Sequence, residues 1–263
     1  MINKGASMSL RPLILAAAVA AALSGCATLE GGATSKVSPA LAAAVAEPSR
    51  PEADRTRDAD RKPAELMAFA GIKAGDKVGD MLPGGGYFTR LFSKAVGPKG
   101  TVYALAPARA PNAPNDPAAA VNAIAADKNY ANVKVATLDM AKPATSEPLD
   151  VMWTSLNYHD LHNRQGADLA AFNKMVFNSL KPGGVYIVID HAAEKGSGKS
   201  ATSSLHRIDP DFVKAEVQAA GFKLEAESTL LANPADNHKS VNRETGIRGK
   251  TDQFVFKFRK PKR

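Results

Sequence analysis

The sequence predicts an α/β fold, a doubly wound seven-stranded sheet with helices on both faces. Two observations predict it. Runs of strand length recur from about residue 77 to residue 259, and segments of helical period lie between the first five of them. One run, Val185-Tyr186-Ile187-Val188-Ile189, is apolar at every position, as a parallel strand covered on both faces must be. Composition agrees, since 44% apolar residues in a chain of 263 suffice for a large core.

The elements follow in order. Pro63-Ala64-Glu65-Leu66-Met67-Ala68-Phe69-Ala70-Gly71 reads as a short helix, with proline in its first turn and glycine at its end. Lys77 to Met81 is the first strand. A glycine-rich turn leads into a helix over 88–96, with Phe88, Leu91, Phe92 and Ala95 on one face. Thr101 to Leu105 is the second strand, and the proline- and asparagine-rich run 106–117 is a loop. An alanine-rich helix over 118–126 precedes the third strand, 133–138, and the fourth follows at 149–154. The helix over 167–180 buries Leu169, Phe172, Val176 and Leu180. Lys181-Pro182-Gly183-Gly184 turns into the apolar fifth strand. Asp209 and Pro210 cap a helix with Val213, Val217 and Ala220 inside, and 222–228 and 254–259 are the last two strands.

Ahead of the domain lie an address and a spacer. Residues 1–25 hold two cations, Lys4 and Arg11, then eleven apolar residues from Leu13 to Leu23. That length suits a signal peptide and is too short for a spanning helix, which needs about 20 residues. Leu23-Ser24-Gly25-Cys26 resembles a bacterial lipobox, so Cys26 is expected to carry the lipid anchor and become the mature N-terminus. Ala27 after it favours the outer membrane, facing the periplasm. Residues 26–54 read as a flexible tether, and the folded domain is expected over 55–263. The alternating charges from Arg50 to Lys62 read as a solvated helix, or as a lid over the site. Cys26 is the sole cysteine, which excludes an internal disulfide and a thiolate metal cluster.

The chemistry centres on Gly84-Gly85-Gly86, between the first strand and the next helix. Here the backbone bends tightly and comes close to a ligand, and the helix N-terminus offers free N–H groups. Asp80-x-x-Pro83-Gly84-x-Gly86-Tyr87-Phe88-Thr89 resembles motif I of the class I S-adenosyl-L-methionine-dependent methyltransferases, whose sheet is Rossmann-like. Leu180-Lys181-Pro182-Gly183-Gly184 and Ala220-Gly221-Phe222 resemble that family's turns into strands five and six. Arg57-Asp58-Ala59-Asp60-Arg61-Lys62-Pro63-Ala64-Glu65, Asn233-Pro234-Ala235-Asp236 and Arg248-Gly249-Lys250-Thr251-Asp252-Gln253-Phe254 are similar to the opening and close of a bacterial group of predicted exported methyltransferases.

The resemblance implies S-adenosyl-L-methionine as cofactor, held by Asp80, Gly84, Gly85, Gly86, Tyr87 and Asn157. Asp139 would bond the adenine amino group. It implies methyl transfer to a small or envelope-associated acceptor; the alternative is a non-catalytic lipoprotein that keeps the fold as a binding module. Leu82 stands where the family has its first glycine. The second strand ends Tyr103-Ala104-Leu105-Ala106-Pro107, without the family's ribose-binding acid.

The candidate catalytic residues are His159, Asp160 and His191, and the candidate substrate residues are Tyr158, His206 and Arg207. His159 and His162 are three apart and could share a metal if they lay on one helical turn, but no metal is expected. Asn233, Asp236, Arg248 and Asp252 read as pins for the loop before the last strand. The basic C-terminus, from Lys257, reads as a solvated tail. Neither it nor the 6% aromatic content points to nucleic acid.

Overall fold

The structure is a computed structural model describing residues 1–2, 36–140 and 142–262. The expected signal segment and Cys26 lie outside the described residues. In chain order the elements are helices α1 (Pro39–Ala46), α2 (Glu52–Arg55), α3 (Asp58–Arg61) and α4 (Pro63–Ala70), strand β1 (Lys77–Met81), α5 (Tyr87–Val96), β2 (Thr101–Pro107) and α6 (Ala119–Ala126). Then come β3 (Val133–Leu138), β4 (Leu149–Ser155), α7 (Tyr158–His162), α8 (Leu169–Ser179), β5 (Leu180–His191), α9 (Pro210–Ala219), β6 (Lys223–Ser228) and β7 (Gln253–Arg259).

The strands form one seven-stranded mixed sheet in the order β3-β2-β1-β4-β5-β7-β6. The first five strands pair in parallel, and β7 runs antiparallel to both β5 and β6. Strand alternation sorts the core into two layers. Val78, Val102, Ala104, Val151, Trp153 and Ile187 face α1, α4, α5 and α6. Met81, Tyr103, Leu105, Met152, Tyr186 and Val188 face α7, α8 and α9. Trp153 anchors the first layer, with the rings of Phe88 and Phe92 at 4.7 and 5.1 Å.

Three expectations change. The tether is shorter than expected, because α1 is a capped helix. The Ser38 side chain accepts from Leu41 N, Pro39 opens the first turn, and Leu41 and Ala44 are buried against α4 and α5. Burying one leucine contributes about 1.5–3 kcal/mol, enough to hold a short alanine-rich helix that propensity alone would leave marginal. The 181–184 turn and the fifth strand merge into β5, and a register shift in its pairing with β4, between Leu149 and Val151 of β4, absorbs the extra residues. The basic C-terminus is tied into the fold. Lys257 and Arg259 pair with Glu225, and the Lys260 ammonium donates to the Phe177 and Leu180 carbonyls.

Candidate functional site

The carboxyl ends of β1 and β4 border the point where strand order reverses, and a cavity of about 270 Å³ opens there. Asp80, Gly84, Gly85, Tyr87 and Asn157, all named from the sequence, line it together. Asp80 is buried at the end of β1, and Thr89 of α5 donates its hydroxyl to it at 2.6 Å. Burial raises the Asp80 carboxyl to about 7, against the opposing pull of Thr89 and the Arg61 charge. A Cβ at Gly85 would meet open space. Asn157 closes the far wall: its amide donates to the Met81 and Leu82 carbonyls at 3.3 and 3.2 Å, tying the end of β4 to the end of β1.

Two expected cofactor residues are not in this lining. Gly86 sits behind it at φ 78°, where a Cβ would come within 2.1 Å of Ile124. That glycine serves the packing of α5 on α6. Asp139 follows β3 and pairs with Lys142 at 3.3 Å. Leu82 carries φ 53°, so the position that lacks the family's glycine still needs left-handed backbone. Leu156, also lining the cavity, is at φ 60°.

Sequence reading missed the cations of the cavity. Arg57 and Arg61, one helical turn apart, reach it from the segment read as solvated. Arg61 stacks on Tyr87 and Phe88, 4.4 and 4.8 Å from the ring centroids, and donates to the Ser155 hydroxyl at 3.2 Å. Its burial lowers the guanidinium to about 10, and the Arg57 charge adds to that. The segment is pinned by Arg50, whose two Nη atoms bond both Asp58 oxygens at 2.8 and 2.7 Å, and Asp58 also accepts from the Tyr87 hydroxyl. Asp54 bonds Arg90 at 2.9 Å. Asp54, Arg57 and Arg61 of this stretch thus line the cavity, so the segment is not a wholly solvated helix.

The histidine cluster is built on α7, which follows Asn157, with Asp190 and His191 from the end of β5 and His206 from the loop before α9. Asp190, buried at the end of β5, accepts from the His159 backbone N–H and bonds His159 Nδ1, both at 2.8 Å. His159 Nε2 is 3.3 Å from Asp160 Oδ1, which is 3.4 Å from His206 Nδ1. Burial alone would lower His159, but the two carboxylates outweigh it and raise the imidazole to about 10, while His159 and His206 hold Asp160 near 2. His191 is lowered to about 4 by burial and bonds Thr251 Oγ1 at 2.6 Å. The cluster therefore presents a cationic His159 and a neutral, weakly basic His191.

Two expected substrate residues are structural instead. Arg207 is fully buried, with both Nη atoms on the Asp236 carboxylate and further bonds to the Ala192 and Ser240 carbonyls. Asp236 in turn accepts from Asp252 N, and Asp252 accepts from Asn233 N, so this chain of bonds pins the loop before β7. Tyr158 is buried between Glu216 and Asn173. His162 bonds Glu216 at 3.0 Å, and His206 takes the place beside His159 that the spacing suggested for His162.

No protein-family model matches the chain, and no curated protein matches it. Solved structures do. The chain is similar to a SAM-dependent methyltransferase from Aquifex aeolicus, at 18% identity and TM-score 0.53, over 80% of this chain and 95% of that one. It is similar to the glycopeptide N-methyltransferase MtfA complexed with sinefungin, at 15% identity and TM-score 0.52, over 77% and 85% of the two chains. The [4+2]-cyclase SpnF matches at 14% identity and TM-score 0.55, over 84% and 91%. These likenesses establish the class I methyltransferase fold, on which the last of these proteins carries out a different reaction.

Proposed function

We propose that the cavity binds S-adenosyl-L-methionine and that the protein transfers its methyl group to a small or envelope-associated acceptor. The observation that carries this is the pairing of opposite charges in one cavity: a buried carboxylate, Asp80, and two guanidinium groups, Arg57 and Arg61. A free α-amino acid end offers an ammonium for the first and a carboxylate for the second. The open backbone at Gly84 and Gly85 leaves room beside them, as the fold's cofactor requires. At the ribose end the residues fit less fully, since β2 closes on buried Ala106 and on Pro107 with no acid.

When bound, the cofactor supplies an electrophilic methyl group on a sulfonium. Asp80 would hold the ammonium and Arg61 and Arg57 the carboxylate, while Asn157 keeps the two strand ends in register. Asp160 and His206, the solvent-facing members of the cluster, meet the acceptor. His159 is already protonated and His191 is buried and weakly basic, so neither is poised to remove a proton near neutral pH. This favours acceptors that are nucleophilic without help from a protein base.

Titration calorimetry with S-adenosyl-L-homocysteine tests the cofactor site. Wild type should bind one molecule per chain. Gly85→Phe, which fills open space, should remove binding while leaving the melting temperature unchanged; unchanged binding in that variant would end the proposal. The exported, lipid-anchored state remains part of the proposal, and is supported by the order of charge, apolar run and Cys26 in the sequence. Removing residues 1–25 with their two cations takes the formal charge from +8 to +6. Among the described residues no helix is long and apolar enough to cross a membrane. Lipid labelling should mark wild type and not Cys26→Ser, and equal labelling would exclude the anchor.

A further inference from the structure

We propose that His159, Asp160 and His206 form a binding site for one divalent transition-metal ion, with Asp190 as its supporting carboxylate. Their ligand atoms, His159 Nε2, Asp160 Oδ1 and His206 Nδ1, all lie within 4.8 Å of one another. Two of the three edges are 3.3 and 3.4 Å. Bonds of about 2.0–2.2 Å from a central zinc-like ion to imidazole nitrogen and carboxylate oxygen place tetrahedral ligands about 3.3–3.5 Å apart. The two edges that meet at Asp160 Oδ1 have that length, and the third lies within 4.8 Å.

The donor set is the second argument. Two imidazoles and one carboxylate suit zinc, iron, cobalt or nickel in the divalent state, and suit magnesium or calcium poorly. The third argument lies outside the three ligands. Asp190 is fully buried and bonds His159 Nδ1 at 2.8 Å, which turns Nε2 toward Asp160 and His206. A carboxylate behind the ring of a histidine is the usual support of a metal-binding imidazole, and the metal would take the place of the proton that His159 Nε2 otherwise carries.

The setting allows entry and leaves coordination positions open. His159 forms the floor, its side chain 2% exposed, while the Asp160 and His206 side chains are 48% and 24% exposed. Three protein ligands with a solvent-facing side leave a position for water or for an acceptor's donor atom. Arg243 stands against the metal, with Nη2 3.3 Å from both ring nitrogens of His206. Asp160 and Asp190 bring two negative charges to the same few ångströms. The ligands come from two separate stretches, α7 and the loop before α9, so the His159/His162 spacing could not reveal them. Zinc binding here needs no cofactor and stands apart from the methyl-transfer proposal.

Untagged full-length protein, stripped with EDTA and dialysed, is titrated with Zn²⁺ by calorimetry and with Co²⁺ by visible absorption. Wild type should bind one Zn²⁺ per chain in the micromolar range or tighter, and Co²⁺ should give the visible bands of a nitrogen–oxygen site. Asp160→Asn and His206→Gln change solvent-facing side chains, and each should weaken Zn²⁺ at least about tenfold. His238→Gln, a histidine paired elsewhere with Asp252, should leave affinity unchanged. No stoichiometric Zn²⁺ in wild type, no Co²⁺ bands, or wild-type affinity in both Asp160→Asn and His206→Gln would overturn the site.

Discussion

The two sides of the site treat buried charge in opposite ways. At the glycine turn, Asp80 is buried against one threonine hydroxyl and faces a cavity, with Arg61 across from it on two aromatic rings. Four residues beyond the end of β4 lies the contrasting case: His159 is enclosed by Asp190 and Asp160, and its charge is satisfied within the protein. The difference shows in the direction of the shifts. Burial wins at Asp80, which rises to about 7, and loses at His159, which is held charged up to about 10. The first side leaves opposite charges facing an open cavity, and the second is a finished network with a solvent-facing edge.

The largest expected effect breaks the finished network. Asp190→Ala leaves the His159 imidazolium buried with half its partners, which should cost about 3–5 kcal/mol. Thermal unfolding should show a drop on the order of 10 °C. A loss under about 1 kcal/mol would mean that His159 is not held charged by Asp190.

The next tests the unfinished side. A carboxyl raised from 3.8 to about 7 contributes stability that is present below about pH 4 and is lost as pH rises through 7. Asp80→Asn removes that dependence. The stability of wild type relative to the variant should therefore fall between pH 4 and 8, by on the order of 4 kcal/mol. Parallel stability curves would show that Asp80 is an ordinary carboxylate.

Arg61→Met comes third. It keeps the contacts with Tyr87 and Phe88 but loses a charge-assisted bond to a carboxylate. Binding of S-adenosyl-L-homocysteine should weaken about 10- to 100-fold with no loss of melting temperature. A fall in melting temperature with unchanged affinity would place Arg61 with the finished network. The smallest effect is a gain: Pro107→Glu returns an acid to the end of β2 and should tighten the same ligand by roughly 1 kcal/mol. No change there would mean that the ribose end is recognised in another way.

The strands, the glycine turn and the two-layer core were legible because each rests on local pattern. Period-2 and period-3.6 runs and the glycines report their surroundings directly. Asp80 was legible for the same reason, sitting one turn before Gly84. Arg61 was not, because alternating charge looks the same on a solvated helix as on one whose arginines turn inward onto Tyr87 and Phe88. Arg207 was misleading in the opposite sense. Its neighbour His206 belongs to the cluster, while the Arg207 guanidinium is spent on Asp236, 29 residues away in sequence. The partnership of His159 with His206 depends on the loop between β5 and α9, and no spacing encodes it.

The central claim is that the glycine-turn cavity recognises both charges of an amino acid end on S-adenosyl-L-methionine. Calorimetry comparing that compound with its decarboxylated analogue tests this most directly. One molecule of S-adenosyl-L-methionine should bind per chain, with the analogue at least about tenfold weaker. Equal affinity for the two, or neither heat nor thermal shift at millimolar S-adenosyl-L-methionine, would contradict it.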